Sequence, residues 1–460
     1  MAAARAALLA PQTTMSVPVQ RAALVVGGGA AGMTAALVLA EQGFPVHLVE
    51  KEAELGGNLR QIYTSQPPFG VEQPRDPQAT LQRLTTQVHS HPAISLHLKS
   101  KVVATSGFMG NFTTTILHDD GERVAVTHGA TILATGGQEY RGPEYAYGTH
   151  PKVISQQEFE AFLANQQSAI KNLKSIAMIL CVGPAEKYCS RICCSVSLKN
   201  ALRLKEINPQ AEVVILYKDI RTYGFKERLY TEARKHDILF ARYDDAHPPQ
   251  VEVGQDDILP YDGLTVRAWD ASLGNWFTLQ PDILVLSMPI VPRPETADVA
   301  RLFKVPTDRD GFFLEAHVKL RPVDFTSDGV FMAGMAHYPK LLDETLIQAQ
   351  AAAARAGRVL SRETLTAGSR VAVVDPELCT GCLTCVRICP YGVPKIQADL
   401  TGVGGIVGAA FIEAAVCLGC GSCVAECPAR AIQLMHYTDA QMKAKVAALF
   451  GSLPVKSIEG

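Results

Sequence analysis

Residues 22–50 read AALVVGGGAAGMTAALVLAEQGFPVHLVE and decide the fold of the first part of the chain. A short apolar strand runs into a glycine loop, and an alanine-rich helix and a second apolar strand follow. This is a complete βαβ dinucleotide fingerprint, in which Gly27, Gly29 and Gly32 permit a tight turn and a close approach of the backbone to a pyrophosphate. Glu50 ends the second strand, where an acid can accept hydrogen bonds from ribose hydroxyls. The stretch therefore predicts a bound dinucleotide.

Three later segments indicate which dinucleotide binds. They are residues 55–60, LGGNLR; residues 131–137, TILATGG; and residues 325–334, FTSDGVFMAG. They resemble the motifs of the two-dinucleotide flavoprotein superfamily, in which FAD takes the first site. That superfamily usually has Gly-Asp where this chain has Gly334-Met335, so the pattern lacks a carboxylate contact to the ribityl chain. The fingerprint and this resemblance together give these candidate cofactor-binding residues: Gly27, Gly29, Ala31, Gly32, Glu50, Lys51, Gly57, Asn58, Ala134, Thr135, Gly136 and Gly334.

A second α/β domain is expected from residue 151, with a buried strand at residues 175–180, SIAMIL. The loop after this strand reads CVGPAEKYCSRICC over residues 181–194 and lacks the GxGxxG of a nucleotide site. No acid directly ends the next strand, residues 213–216, so the sequence argues against NAD(P) here. Four interpretations of the cysteines in the 181–194 loop remain, namely core packing, a disulfide, a zinc site and an iron–sulfur cluster. We favour a cluster, held by Cys181, Cys189, Cys193 and Cys194.

The C-terminal part carries two further cysteine runs, CTGCLTCVRICP at residues 379–390 and CLGCGSCVAECP at residues 417–428. Each has the C-x2-C-x2-C-x3-C-P spacing of two-cluster bacterial ferredoxins, in which the fourth cysteine of one run ligates the other cluster. We therefore expect one 4Fe–4S cluster on Cys379, Cys382, Cys385 and Cys427, and a second on Cys389, Cys417, Cys420 and Cys423.

Composition limits the class of protein. The chain has 460 residues, 47% of them hydrophobic and 19% charged, which describes an ordered globular protein. A formal net charge of −2 argues against binding to nucleic acid, and no apolar run reaches the roughly 18 residues of a membrane span. The 12 cysteines fall into three sets of four, which favours a reducing, cytoplasmic setting over a disulfide framework.

These features predict a disordered leader at residues 1–20, an FAD-binding domain at 21–150 and 309–362, and the second α/β domain at 151–308. A polar linker near residues 361–370 leads to a ferredoxin-like domain at 370–437 and a C-terminal helix or tail at 438–460. Thr438 and Gln441 have the spacing of a helix capping box.

The chain resembles the A subunits of heterodisulfide reductases and their relatives, which include flavoprotein subunits of quinone-interacting oxidoreductase complexes. The resemblance rests on the glycine loop, the cysteine loop and the ferredoxin runs, and on two further segments, ATGGQEYRGPEYAYGTHPKVI at residues 134–154 and DIRTYGFKERLY at residues 219–230. The gap between Cys181 and Cys189 looks shorter than in many relatives.

The resemblance implies an α/β, thioredoxin-reductase-like flavoprotein with a cluster-binding insertion, followed by an α+β two-cluster ferredoxin-like domain. It implies FAD and three 4Fe–4S clusters, with Lys199 near the reactive ring nitrogen of the flavin. It also implies partner subunits of a heterodisulfide reductase-like complex, and electron donors such as ferredoxin, a hydrogenase or a dehydrogenase. A homodimer is left open.

Three functions follow as hypotheses. The first is a flavoenzyme subunit that splits two-electron flavin chemistry into single-electron transfer through clusters, including flavin-based electron bifurcation. The second is a relay without bifurcation in a quinone-interacting complex. The third is an NAD(P)-dependent oxidoreductase of the glutamate-synthase small-subunit type, which the missing second glycine loop argues against.

Overall fold

The computed structural model describes residues 15–65, 75–183, 188–253, 263–367 and 371–450. The chain divides into two compact units, of which one is Arg21–Ser361 and the other combines Met1–Gln20 with Arg362–Gly460.

The strands are, in chain order, β1 Met15–Pro18, β2 Ala23–Val26, β3 Val46–Val49, β4 Ile94–His97, β5 Ser100–Phe108, β6 Asn111–His118, β7 Arg123–His128, β8 Ala130–Leu133, β9 Gly137–Glu139, β10 Val153–Ser155, β11 Ser175–Ile179, β12 Glu212–Tyr217, β13 Ile238–Arg242, β14 Gln250–Val253, β15 Leu264–Asp270, β16 Asn275–Leu279, β17 Ile283–Leu286, β18 Ile290–Pro292, β19 Val330–Met332, β20 Thr364–Ala367, β21 Ala372–Val374, β22 Lys395–Thr401, β23 Val407–Phe411 and β24 Ile432–Leu434. The α-helices are α1 Ala30–Glu41, α2 Pro77–Ser90, α3 Gln156–Asn165, α4 Gln167–Ile170, α5 Cys193–Ile207, α6 Glu227–Lys235, α7 Thr296–Phe303, α8 Leu342–Leu360, α9 Thr384–Ile388, α10 Ser422–Ala425 and α11 Asp439–Phe450.

The glycine fingerprint builds the first sheet of the larger unit. Its strand order is β19-β8-β2-β3-β4, and all neighbouring strands are parallel. All four residues of β2 are buried, as a parallel sheet covered on both faces requires. Leu24 and Val26 pack with Val102, Ile116 and Val126 of the antiparallel sheet β5-β6-β7. This sheet is the small β-meander of the larger unit.

The second sheet has the order β10-β17-β11-β12-β13 and is also parallel. Alternate residues of β11 face opposite sides, because side chains in a strand alternate. Ile176 and Met178 pack against Leu198 of α5, while Ala177 and Ile179 share a cluster with residues of the antiparallel sheet β14-β15-β16. The cysteine loop leaves this sheet at the carboxyl end of β11.

The smaller unit pairs β21 with β24 and β22 with β23, both antiparallel. Its two short helices, α9 and α10, follow residues in the left-handed conformation, Leu383 (φ 64°) and Gly421 (φ 80°). Cys379, Cys385 and Cys423 belong to its buried core. Thr438 and Gln441 exchange the two hydrogen bonds of the predicted capping box, at 3.4 and 3.1 Å.

Two expectations about this unit are wrong. The sequence predicts residues 15–18 within a disordered leader and residues 364–367 within a linker, but they form β1 and β20 and pair antiparallel. Each segment is only four residues long, and its partner lies about 350 residues away along the chain, so local pattern gives no sign of the pairing. The rest of the leader expectation at residues 1–14, and the end of the tail at residues 451–460, lie outside the described residues.

Candidate functional site

A cavity of about 1240 Å³ lies in the unit Arg21–Ser361. One wall is formed by the residues that follow β2, β3 and β8 of the first sheet. Other lining residues come from α3, α5 and the segment after β17 of the second sheet. Ligands of open α/β sheets bind beyond the carboxyl ends of the strands, which is where this cavity lies.

The glycine loop forms one side of the cavity with very little clearance. Gly27 has φ +109°, and a Cβ there would overlap the carbonyl oxygen of Ala134. A Cβ on Gly32 would overlap the carbonyl oxygen of Gly27. By contrast, a Cβ on Gly29 would meet nothing within 4 Å, so the space above this residue is open for a ligand to approach the backbone.

The structure brings most of the sequence-predicted cofactor residues to this cavity. These ten line it: Gly27, Gly29, Ala31, Glu50, Lys51, Gly57, Asn58, Ala134, Thr135 and Gly136. Gly32 and Gly334 are not among the lining residues. Gly32 serves the packing of α1 against the loop, and the N–H of Gly334 donates to Gln348 Oε1 at 2.9 Å.

Several of these side chains already have partners within the protein. The Glu50 carboxylate accepts hydrogen bonds from the N–H groups of Gly28 (2.6 Å) and Glu52 (2.9 Å). Asn58 Nδ2 donates to the carbonyl oxygen of Gly137 at 2.9 Å, and Lys51 forms an ion pair with Glu295. These contacts fix the carboxylate and the amide at the cavity wall before any ligand binds.

The cavity fits a dinucleotide on two observations. The buried Thr135 Oγ1 has no hydrogen-bond partner among the described residues, and a buried hydroxyl without a partner is costly unless a ligand or water satisfies it. The open space at Gly29, together with the start of α1, gives N–H groups and a positive helix end where a pyrophosphate can bind.

The cysteine loop meets the cavity at the start of α5. Cys193, the first residue of α5, lines the cavity, and Cys194 is buried beside it. The thiol sulfurs of Cys189 and Cys194 accept backbone N–H bonds from Arg191 (3.2 Å) and Arg221 (3.4 Å). Residues 184–187 of the loop lie outside the described residues.

Burial raises the pKa of three thiols in this loop. The pKa of Cys194 is raised to about 11, and the pKa values of Cys181 and Cys193 are also raised, with repulsion between neighbouring cysteines adding to the effect of burial. Free thiols here would stay protonated at neutral pH, whereas a coordinated metal deprotonates a thiol outright. All twelve cysteines of the chain are free of disulfides.

The spacing of the sulfurs bears on zinc. Among the described residues, no three His, Cys, Asp or Glu side chains converge closely enough to hold one metal ion. Four thiolates around a single zinc lie about 3.8 Å apart, given a Zn–S distance of about 2.3 Å.

A buried ion pair lies on the same cavity wall. Lys199 Nζ is 2.7 Å from Glu160 Oε2, and the two side chains are only 11% and 6% exposed. Lys199 also donates to the carbonyl oxygen of Thr64 at 3.0 Å, and Glu160 Oε1 accepts from the N–H groups of Tyr63 and Thr64. Burial lowers the pKa of Lys199 and Glu160 opposes that shift. The predicted catalytic lysine is therefore a positioned, paired donor.

Glu139, Glu160 and Lys340 are among the charged residues of the cavity that sequence reasoning missed. Burial raises the pKa of Glu139 to about 7, although Ser155 Oγ donates to it at 2.6 Å. Burial lowers the pKa of Lys340 to about 7, and the nearby Arg191 guanidinium adds to the shift. The only sequence signal for any of the three is that Glu139 closely follows the TILATGG segment. Glu160 and Lys340 lie in ordinary helix and loop patterns that do not mark them as site residues.

The C-terminal cysteines are grouped as the ferredoxin spacing predicts. A small cavity in the second unit is lined by Cys379, Cys382, Cys385 and Cys427, so the last cysteine of the second run lies with the first three of the first run. Backbone N–H groups of Ala410 and Ala372 donate to the sulfurs of Cys379 and Cys417, both at 3.4 Å.

Comparison with known proteins follows the same division of the chain. Residues 25–73 match the family model described as an NAD(P)-binding Rossmann-like domain, and residues 372–428 match the 4Fe-4S dicluster domain. The second of two CoB–CoM heterodisulfide reductase iron-sulfur A subunits of Methanopyrus kandleri is 31% identical, over 86% of this chain and 73% of its own length. The chain belongs to the heterodisulfide reductase A-subunit family.

Another member of this family is the A subunit of the H2:CoB-CoM heterodisulfide,ferredoxin reductase of Methanothermobacter marburgensis, which is 31% identical over 86% of this chain and 72% of its own length. Membership makes the chain an oxidoreductase that combines a Rossmann-like domain with a 4Fe–4S dicluster domain.

Solved structures confirm the predicted thioredoxin-reductase-like fold of this family member. The thioredoxin reductase of Lactococcus lactis superposes with a TM-score of 0.51 over 74% of this chain and 99% of its own, at 16% identity. That of T. acidophilum gives a TM-score of 0.50 over 74% of this chain and 98% of its own, at 15% identity. In the described part of the chain, no helix is both long and apolar enough to cross a bilayer.

Proposed function

We propose that this chain is an FAD- and iron–sulfur-containing electron-transfer component of a heterodisulfide reductase-like complex. The observation that carries the proposal is that Cys193 lies on the wall of the same cavity as the glycine loop and Lys199. Bound FAD supplies a group that accepts two electrons and gives them up singly. A cluster on the 181–194 loop provides the exit for single electrons.

The residues proposed to hold FAD contact different parts of the cofactor. The N–H groups at the start of α1 bind the pyrophosphate, and the Glu50 carboxylate, held by Gly28 and Glu52, accepts hydrogen bonds from the ribose hydroxyls. Lys199 presents a donor whose direction is fixed by Glu160. The first turn of α8 also lines the cavity, so its positive end favours negative charge on the cofactor.

Among the described residues of the second sheet, the turn after β11 argues against a nicotinamide nucleotide site. At the turn after β11, where related folds carry the second glycine loop, the ring of Tyr140 lies against Gly183, and a Cβ on this glycine would meet the ring at 2.5 Å. A pyrophosphate would have to approach the backbone at that place. This observation supports a cluster over NAD(P) and argues against the glutamate-synthase type of function.

The three sets of cysteines support a chain of three 4Fe–4S clusters that passes electrons to partner subunits. The names of the relatives include ferredoxin and H2, so ferredoxin, hydrogenase or dehydrogenase partners are part of the proposal. Twelve cluster thiolates also require a reducing compartment, and we place the protein in the cytoplasm.

Two modes of electron transfer are compatible with one FAD and three clusters. In the bifurcating mode, the second electron leaves the flavin at a potential very different from that of the first; in the relay mode, the two one-electron potentials are close. Potentiometric titration of the flavin separates the modes. We propose bifurcation, because the cavity places the ion-paired donor Lys199 and the cluster thiol of Cys193 at one flavin site. Closely spaced one-electron potentials would contradict bifurcation and favour the relay.

The composition of the protein tests the proposal directly. Anaerobically purified protein is expected to contain one FAD and about twelve irons per chain, four in each cubane cluster. Measurement of about eight irons together with a stoichiometric nicotinamide nucleotide would contradict the proposal, because two clusters account for eight irons.

A pair of variants tests the third cluster. Cys193→Ala is expected to lose about four irons and to alter the visible circular dichroism of the flavin, because Cys193 lines the flavin cavity. The matched control Cys420→Ala, in the other unit, is expected to lose iron without a change in the flavin signal. If Cys193→Ala and Cys420→Ala had the same flavin circular dichroism, the proposal of a cluster beside the flavin cavity would be wrong.

A further inference from the structure

The flavin cavity has a second buried amine besides Lys199. Lys340 lines the cavity just before α8 and is 4% exposed. Its Nζ donates to the carbonyl oxygen of Tyr338 at 3.2 Å and lies 3.1 Å from the centre of the Tyr338 ring. Within the described ranges it forms no ion pair, and the two carboxylates that oppose the lowering of its pKa, Glu344 and Glu315, contact other residues.

The two lysines differ in how their charge is balanced. The charge of Lys199 is compensated by Glu160 at 2.7 Å, so the pair adds a dipole but no net charge to the cavity. Lys340 contributes a charge that only a carbonyl dipole and an aromatic face offset at close range. An ionised group without a counter-ion is expensive to bury, so negative charge in the cavity would favour the protonated form of Lys340.

The carboxylates around Lys340 have other partners. Glu344 pairs with Arg191 at 3.0 Å and Glu315 with His337 at 2.8 Å. Arg191 also stacks on the Tyr338 ring, with its guanidinium carbon 5.1 Å from the centre. Neither carboxylate pairs with Lys340, so its amine stays available to a group that approaches from the cavity.

We propose that Lys340 is the residue that stabilises the negative charge of the reduced flavin, an inference that rests on the proposed function. Lys199 then acts by the direction of its hydrogen bond, and Lys340 acts by its uncompensated charge. Two-electron reduction with uptake of one proton leaves one negative charge on the flavin ring system, and the electrons come from the reduced iron–sulfur or ferredoxin-type donor of the complex.

The position of Lys340 also predicts coupling between reduction and protonation. The titratable and charged groups that face Lys340 are Arg191, Glu315, His337, Tyr338 and Glu344. Burial and Arg191 lower the pKa of Lys340 to about 7, and negative charge arriving in the cavity raises it again. Reduction should therefore draw an additional proton onto Lys340 at and above neutral pH.

The experiment is a spectroelectrochemical titration of the flavin in the full-length, cluster-loaded protein with saturating FAD. Lys340→Met is expected to disfavour the reduced flavin about tenfold, which is about 30 mV for a two-electron couple. The shift should be largest below pH about 7 and shrink at higher pH, where the wild-type amine also loses its proton. Lys340→Arg keeps a charge that stays on at high pH, so it should restore the potential.

The matched control is Lys171→Met, which removes an exposed cation that does not line the cavity. Its flavin potential should equal that of the wild type. An unchanged potential in Lys340→Met, or an equal shift in Lys171→Met, overturns the inference about Lys340. Failure of the wild-type protein to bind FAD would instead overturn the proposed function, so the two failures are distinguishable.

Discussion

At Lys199 the chain buries a cation and its counter-ion together. In addition to the ammonium, the Glu160 carboxylate accepts two backbone N–H bonds, from Tyr63 and Thr64. Such a pair is weak evidence for stability, but breaking it by removing one partner is costly. Its value here is geometric, because the ammonium is held in one direction at the cavity wall.

Lys199→Ala is therefore expected to change both stability and flavin chemistry. The unpaired Glu160 should lower the free energy of unfolding by about 3 kcal/mol, and its bare negative charge should lower the flavin potential while iron content stays normal. Chemical denaturation and potentiometry measure the two effects. Adding Glu160→Gln should recover much of both, and a variant with unaltered potential and stability would make Lys199 an ordinary structural lysine.

At the scale of elements, the turn from β2 to α1 separates two uses of glycine. Gly32 is needed by the protein itself, because a Cβ would collide with the Gly27 carbonyl. Gly29 leaves open space where the ligand is proposed to lie. The same motif thus holds one residue for helix–strand packing and one for access.

Substitution by alanine should distinguish these roles. Gly32→Ala is expected to lower the thermal midpoint of the FAD-free protein, because the backbone must shift. Gly29→Ala, whose backbone is extended at φ −74°, should leave that midpoint nearly unchanged but weaken FAD binding by at least about tenfold through loss of close approach. Thermal scans without FAD and fluorescence titration with FAD provide the measurements. Equal behaviour of the two variants would contradict this division.

At the scale of the whole molecule, buried and half-buried histidines make the larger unit sensitive to acid. Burial lowers the pKa of His97, His128 and His337 to about 4 from the usual 6.5. The unfolded chain binds protons at these residues as the pH falls through 6.5, whereas the folded chain does not until near pH 4, so stability falls across this window. For the fully buried His128, the loss approaches about 3 kcal/mol.

Denaturation midpoints measured across that pH window test this expectation. Wild-type protein should lose stability steadily as the pH falls from about 6.5 to about 4, and His97→Gln should flatten part of the curve. The exposed His89→Gln serves as the control and should follow the wild type. A wild-type midpoint that stays constant over the window would contradict the protonation argument.

Much of this architecture could be predicted from local sequence signals. The glycine spacing and the apolar runs predict both parallel sheets, since each βαβ unit is encoded within about 30 residues. The ferredoxin spacing likewise predicts that Cys427 joins the first cysteine run. Glu160 and Lys340 could not be predicted, because a charged residue in a helix or loop pattern is normally solvated, and only long-range packing buries these two.

The antiparallel pairing of β1 with β20 sets an order of events during synthesis on the ribosome. The strand Met15–Pro18 is translated first, yet its partner Thr364–Ala367 emerges only after the larger unit has been made. At about 5–20 residues per second, the early strand waits roughly 20 to 70 seconds for that partner. The segment Met15–Pro18 must therefore remain unpaired with β20 while the larger unit folds. A bulky fusion placed just before Met15 is expected to slow the pairing of β1 with β20 and so the folding of the iron–sulfur unit.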